Sequence, residues 1–302
     1  MTTTTKNATR QHSPGSKWAQ RQVTCCMLCL VVCLSLSYFA QPIQAQTITI
    51  IEPAVLECTY NKRMVTDTLD RENDCREVMM SLRMGETVSM FYSVPKMQFD
   101  SLYYVNRSLE RRLWHEAAMS QKPSPGGFEH ELVYKNYPEG KATMYNLFAT
   151  MNWCCTEDWQ IPEWELCDST KTVLEYACQL AKCDYRGRTW FAWFSFDIPI
   201  SEGPWKLCGL PGLILEAYDS HNDYHYTAVG LKQADVAPVG IYNYRKKQWA
   251  KIERIKYCQK WWESIHEDVG LKYALALGWD VDPSRKLPHR NYELQEADYH
   301  DK

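Results

Sequence analysis

The chain lacks the local signatures by which most proteins of its size disclose a chemistry. It contains no GxSxG string, the mark of a strand–turn–helix that exposes a nucleophilic serine. His115-Glu116 and His130-Glu131 each begin as a zinc-protease helix would. Neither has a second histidine four residues on, so neither helical face would offer two imidazole ligands. No apolar run reaches the roughly 20 residues needed to span a bilayer. There is no surplus of positive charge either: 34 Lys and Arg stand against 37 Asp and Glu, a net charge of −3. A nucleic-acid binder needs a concentrated basic face to displace counterions, and this balance argues against one.

What is present begins with a targeting pattern. The first 21 residues hold Lys6, Arg10, Lys17 and Arg21 and no acid. The apolar run CCMLCLVVCLSLSYFA follows from Cys25 to Ala40, and PIQA ends at Ala45 before Gln46. A basic flank, a short apolar segment and a small residue at the end predict a cleavable signal peptide over residues 1–45. The expected location is therefore secreted or periplasmic, with no transmembrane anchor in the mature chain. Removing those four bases from 34 leaves 30 against 37 acids, a mature net charge of −7. Four of the thirteen cysteines lie in the apolar run. The rest are Cys58, Cys75, Cys154, Cys155, Cys167, Cys178, Cys183, Cys208 and Cys258. No pair among them has CxxC spacing, so a zinc ribbon or thioredoxin-like site has no support. In an exported chain they are disulfide candidates, and their odd number leaves at least one without an internal partner.

Residues 56–100 alternate in the manner of strands around a Gly85-Glu86 turn, and Ser101–Met119 has helical spacing at Leu102, Val105, Leu109 and Leu113. From about 164 to 232, β-branched and aromatic segments alternate with the turn-prone strings DSTK, YRGR, SEGP and SHND. Short links between successive strands predict an antiparallel meander. Thr189–Phe196 is apolar on both faces and is expected to be covered on both. Beyond Tyr244 the pattern turns helical, with Ile252, Ile255, Trp262, Ile265 and Val269 on one stripe, and the tail after Pro288 is polar and reads as loose.

The string GPWKLCGLPGLILEAYD at 203–219 contains GLPGLI from Gly209 to Ile214. With YACQLAKCDYRGRTWFAWF at 176–194 and FDIPISEGPWK at 196–206, the chain resembles the GLPGLI family of bacterial secreted proteins. The resemblance covers most of residues 56–232 and is most specific at 183–219. It implies export and carries no catalytic residue with it. Read on its own chemistry, the motif Gly209, Leu210, Pro211, Gly212, Leu213 and Ile214 offers no acid, base, nucleophile or metal ligand. Pro211-Gly212 suits the centre of a type II turn, with φ > 0 at the glycine, and Leu213 then resumes a strand.

The candidate site residues are polar or aromatic. Asp219, His221, Asp223 and His225 stand at alternate positions between two predicted strands, which would place four oxygen and imidazole ligands on one side for a metal. A solvated hairpin tip is the favoured reading, because turn chemistry alone accounts for the Asp and Asn residues. Arg186 reads as a solvent-facing turn residue, and Arg188 as an ion-pair or anion-binding group. Eleven tryptophans lie beyond residue 45, among them Trp193 and Trp205. Core packing is their ordinary role, and with Arg188 these two are the candidate ligand-binding residues.

The expected fold is α+β: a curved antiparallel β-sheet meander, in shape like an open half-barrel, with packed helices including a C-terminal amphipathic one. The expected organisation is a signal peptide at 1–45, a GLPGLI-type β-rich domain at 46–240 and a helical C-terminal extension at 241–302. The expected function is a non-enzymatic binding or accessory protein of the cell envelope, without a cofactor. Its partner would be an apolar ligand, a peptide or an envelope protein. The alternatives are a metal-handling protein built on the 219–225 cluster and an unfamiliar hydrolase.

Overall fold

A computed structural model of the chain describes residues 48–120, 125–149, 151–266, 271, 275–278, 280–282 and 292–300. The expected signal segment lies outside the described residues. The strands are those of a twofold meander. Leu56–Val65 (β2) buries Leu56, Cys58, Tyr60 and Lys62 at period two while the residues between them stay half-exposed. Cys75–Met84 (β3), Ser89–Ser93 (β4), Leu132–Lys135 (β5), Lys141–Phe148 (β6) and Met151–Asp158 (β7) follow as successive antiparallel neighbours. Glu165–Val173 (β8), Tyr176–Tyr185 (β9), Arg188–Ser195 (β10), Leu213–Asp219 (β11) and Tyr224–Lys232 (β12) form a second run of the same kind. β12 pairs antiparallel with β2 and joins the two runs. Ala250–Ile252 (β14) adds parallel to β7 at one edge, so the expected helical extension also contributes a strand. Among the described residues the resulting sheet has twelve strands and is open, with β14 and β8 at its edges. Ile48–Glu52 (β1) and Val239–Tyr242 (β13) form a separate two-stranded ribbon. The architecture is α+β with a curved, largely antiparallel sheet.

Strand alternation gives this sheet two different faces. On the first, Leu56, Tyr60, Met80, Leu82, Phe91, Trp190, Phe194 and Tyr226 form the main core. It is closed by Tyr257, Cys258 and Ile265 of α3 (Arg254–His266) and by Leu294 and Tyr299 of the C-terminal segment. On the second, Val88, Met90, Tyr92, Tyr134 and Val239 make a smaller core under the β1–β13 ribbon and α1 (Val94–Val105). Ser93 caps α1 by accepting from the Lys96 amide. The expected single helix over 101–119 is two, because Asn106 (φ −153°) interrupts it and accepts from the Leu109 amide at 3.0 Å. Its side chain is thereby the N-cap of α2 (Arg107–Met119), whose buried residues are Glu110 and Ala117 rather than a leucine stripe.

Two further expectations are corrected. On β10, Trp190, Ala192 and Phe194 are buried, but Phe191 and Trp193 on the other face are only half-buried. What shields them is side chains on the same sheet: Phe191 stacks on Tyr218 at 5.5 Å, and the Lys171 ammonium lies 4.5 Å from the Trp193 ring. The nine described cysteines are all free thiols. Six of them are buried, and burial pushes the Cys58, Cys155 and Cys183 thiols up to about 12, which suppresses the reactive thiolate.

Among the described residues no helix is long and apolar enough to cross a membrane.

Candidate functional site

The turn Arg186-Gly187-Arg188 between β9 and β10 is the anchor of the site. Arg186 (φ 55°) is buried, not solvent-facing, and its Nη2 donates to Glu157 at 2.5 Å. Its carbonyl accepts from the amide of Ala297 at 2.8 Å. A Cβ on Gly187 would lie 2.7 Å from the Asp298 nitrogen, so only glycine lets the C-terminal segment approach this closely. Arg188 then spends its donors on that segment and on the hairpin beside it. Nε and Nη2 donate to the Leu294 carbonyl at 3.1 and 2.7 Å, and Nη1 meets Asp219 at 2.8 Å. Lys206 bonds Glu157 and Glu296, and Arg254 forks onto Asp298 at 2.7 and 2.9 Å. Burial alone would raise the Glu296 carboxyl; the Lys206 and Arg186 charges outweigh it and hold the group below the usual carboxylate range. The tail expected to be loose is therefore clamped at 292–300 by four buried or nearly buried cations.

Beside this clasp opens a cleft of about 560 Å3, floored by Arg188 and Asp223 and walled by Arg71, His221, Trp262 and Glu293. Asp219 is fully buried; its Oδ1 accepts from the Tyr224 amide at 2.8 Å, while Oδ2 takes Arg188. Asp223 accepts from Arg71 Nε at 2.8 Å and lies 3.6 Å from Arg188. His221 projects from the hairpin tip, 69% exposed. Trp262 is half-buried with its ring stacked on His266 at 4.0 Å. A smaller cavity of about 250 Å3 adjoins it through Tyr292 and contains the buried Lys62–Glu129 pair. The larger cleft is lined mainly by polar and charged groups, which suits a polar ligand better than an apolar one. The smaller cavity mixes its charges with Phe128, Phe148 and Trp261.

A family model described as "Protein of unknown function (Porph_ging)" matches residues 186–216. That stretch begins at the Arg186 clasp and ends on β11. Two crystal structures are similar over part of the chain: PNGF-II in the P21 space group, 13% identical with a TM-score of 0.45, and PNGF-II in the C2 space group, 14% identical with a TM-score of 0.44. They cover 70% and 69% of this chain, which spans about a third of theirs, 34% and 33%. No curated protein matches.

The matched stretch includes GLPGLI, and its glycines have different reasons from the expected turn. The left-handed residue is Gly209, at φ 95°; Gly212 is not in that region. Instead, a Cβ on Gly212 would sit 2.0 Å from the Ser195 carbonyl oxygen. Gly212 is there because β10 passes against its backbone. Leu210, Leu213 and Ile214 are buried in the main core, whereas Pro211 is exposed.

The candidate residues separate. Asp219, His221 and Asp223 converge, with ligand atoms all within 4.8 Å of one another. His225 does not join them: it stands opposite Tyr218 in the ladder, on the second face, and bonds Glu216 at 3.2 Å. Arg188 lies in the cleft, Trp193 is on the second face, and Trp205 is buried in the core against Trp190 at 5.6 Å. Glu293, Glu296 and Asp298 carry no local signal in the sequence, nor does Lys206 within its apolar string. Only their acidic and basic character could have hinted at a pairing.

The geometry also limits the chemistry. Ser220 Oγ is 3.4 Å from His221 Nδ1, and the same nitrogen faces Asp219 at 4.0 Å. In a serine triad the base uses one ring nitrogen for the hydroxyl and the other for the carboxylate, and that arrangement is not made here. As a metal site, the trio already contains a cation. The Arg188 guanidinium meets both carboxylates and is fixed from behind by two backbone carbonyls, Glu293 and Leu294.

Proposed function

We propose that the protein is an exported, GLPGLI-type binding or accessory protein of the cell envelope that takes a polar ligand in the cleft beside Arg188. The observation that carries this reading is the state of the cleft's floor. Arg188, Asp219 and Asp223 satisfy one another and are braced by backbone, so they form a rigid, preorganised surface rather than a reactive set. Exposed His221, Arg71 and the Trp262 edge then supply adaptable contacts at the rim. The basic flank and short apolar run before Gln46 support export.

Native mass spectrometry of the full chain purified from its own envelope tests the proposal. The wild type should carry a bound polar molecule. Trp262→Ala and His221→Ala should lower its occupancy while melting within a few degrees of the wild type. Recovery of the wild type without ligand, or equal occupancy in all three proteins, would contradict a binding role for this cleft.

The convergence of Asp219, His221 and Asp223 supports a second reading, a metal-handling site. It requires zinc or copper to displace Arg188. Calorimetric titration with zinc decides it: micromolar binding abolished by Asp223→Asn supports metal handling, and its absence leaves the arginine as the site's cation.

A further inference from the structure

On the second face of the sheet, far in sequence from the 186–216 stretch, charge is arranged in the opposite way. The N-terminal turn of α1, Tyr92 of β4, Tyr145 of β6, Tyr242 at the end of β13 and the segment 243–249 after it line a pocket of about 60 Å3. One carboxylate, Asp100, sits among three cations. Lys96 Nζ lies 2.6 Å away, Arg245 Nε 3.0 Å and Lys247 Nζ 3.1 Å. Arg245 also reaches Glu110, but Glu110 is shared with Arg107. Two of the cations also lie against aromatic rings, Arg245 over Phe99 at 5.4 Å and Lys247 over Trp249 at 5.7 Å, which helps to hold them in place. His130 borders the same pocket with a buried Nδ1 that has no hydrogen-bond partner.

We propose that this pocket is a binding site for a small tetrahedral oxyanion, phosphate in class, gripped by Lys96, Arg245 and Lys247. The positive groups outnumber the carboxylates that face them, and the N-terminus of α1 adds a partial positive charge of the same sign. The volume agrees. A single water needs about 10–15 Å3 of such space, so the pocket of about 60 Å3 has room for a small polyatomic anion. Burial is the largest cause that brings Lys96 down to about 8, and Lys247 and Arg245 push it further the same way. Burial and then Lys96 bring His130 down to about 4, so it is a neutral hydrogen-bond group near pH 7. Among the described residues Glu131, raised to about 7 by burial and by Glu129, is the one other acid lining the pocket, and its protonated form would admit an anion. The site does not depend on the cleft beside Arg188; either can fail alone.

The test is calorimetric titration of the full chain with inorganic phosphate at constant ionic strength and pH 6.5, with phosphoethanolamine and acetate as parallel probes. Saturable one-to-one phosphate binding is expected. Loss of one charge-assisted contact in Lys247→Met should weaken it about tenfold or more. Asp100→Asn should strengthen it by a similar factor, because it removes the carboxylate that competes for the same cations. Tighter binding of phosphoethanolamine would assign the site to the end group of a phosphate monoester, and tighter binding of phosphate to the free ion. Acetate binding as strong as phosphate would overturn the tetrahedral assignment. Failure of phosphate to saturate in both the wild type and Asp100→Asn would overturn the site. Circular dichroism of each variant keeps a folding defect from being read as lost binding.

Discussion

Around Lys206 every buried cation meets carboxylates or carbonyls made for it: Lys206 takes Glu157 and Glu296, Arg188 takes Asp219 and the Leu294 carbonyl, and Arg254 forks onto Asp298. Around Asp100 the proportions are reversed, with three cations on one carboxylate. The first arrangement balances its charges internally and fastens a chain segment, with paired Arg188 as the fixed floor of the cleft. The second keeps unspent attraction for a negative group. Burial of charge is thus not one phenomenon in this protein; the completeness of the pairing separates a preorganised floor from a group of cations that still attracts an anion.

The largest way to break the comparison is at Lys206. Lys206→Met takes the buried ammonium from Glu157 and Glu296, which keep Arg186 at 2.5 Å and Arg254 at 2.7 Å. The cost should therefore lie at the lower end of the about 3–5 kcal/mol of a broken buried pair. Urea unfolding should show a loss of that size, and a change under about 1 kcal/mol would mean the clasp is not a structural element. Gly187→Val tests the same clasp through backbone. Its Cβ would meet the Asp298 nitrogen at 2.7 Å, so the tail must shift and about 2 kcal/mol should be lost. Protease cleavage near residue 292 should quicken in that variant.

Alkaline pH sharpens the contrast. Lys96 is brought down to about 8 by burial, Lys247 and Arg245, against the pull of Asp100, with neutral His130 beside it. A lysine whose folded value lies below its unfolded one releases its proton on folding, so its contribution to stability rises with pH between about 8 and 10.5. Lys206 has the opposite sign. Burial would lower it, but Glu296 and Glu157 raise it, so its contribution is complete below its unfolded value and is lost only above it. The stability of the wild type relative to Lys96→Met should therefore increase from pH 7.5 to 10, which melts of both proteins at each pH would show. The smallest effect belongs to Lys247→Met. Two cations remain on Asp100, so unfolding should change by about 1 kcal/mol or less even though phosphate binding is weakened.

Much of this was legible in the sequence where the signal is local. Short turn-separated strands from Glu165 to Lys232 gave the second antiparallel run, and Asp219, His221 and Asp223 do come together. Extended alternation failed only at His225, because the hairpin between β11 and β12 reverses the chain. The ladder then pairs His225 with Tyr218, which puts it on the far face. The pairing of Arg186 and Arg188 with residues 293–298 was not legible. Their partners lie more than a hundred residues downstream, in a polar stretch that looks like solvent-exposed tail. The pocket at Asp100 was hidden for the same reason, since Arg245 and Lys247 approach it across about 145 residues of chain. Gly212 was recognised as obligatory for the wrong cause. A sequence shows that a glycine follows a proline, but only the fold shows the Ser195 carbonyl against it.

The most direct measurement compares two variants that each remove one buried negative charge, Glu296→Gln and Asp100→Asn, by thermal unfolding with and without 10 mM phosphate at matched ionic strength. Glu296→Gln should melt well below the wild type and gain no more from phosphate than the wild type does. Asp100→Asn leaves three cations without their shared carboxylate, so it should melt below the wild type without phosphate and gain more than the wild type does when phosphate is added. If phosphate raises neither variant by more than it raises the wild type, the two regions do not differ in kind, and the distinction between closed clasp and open site is wrong.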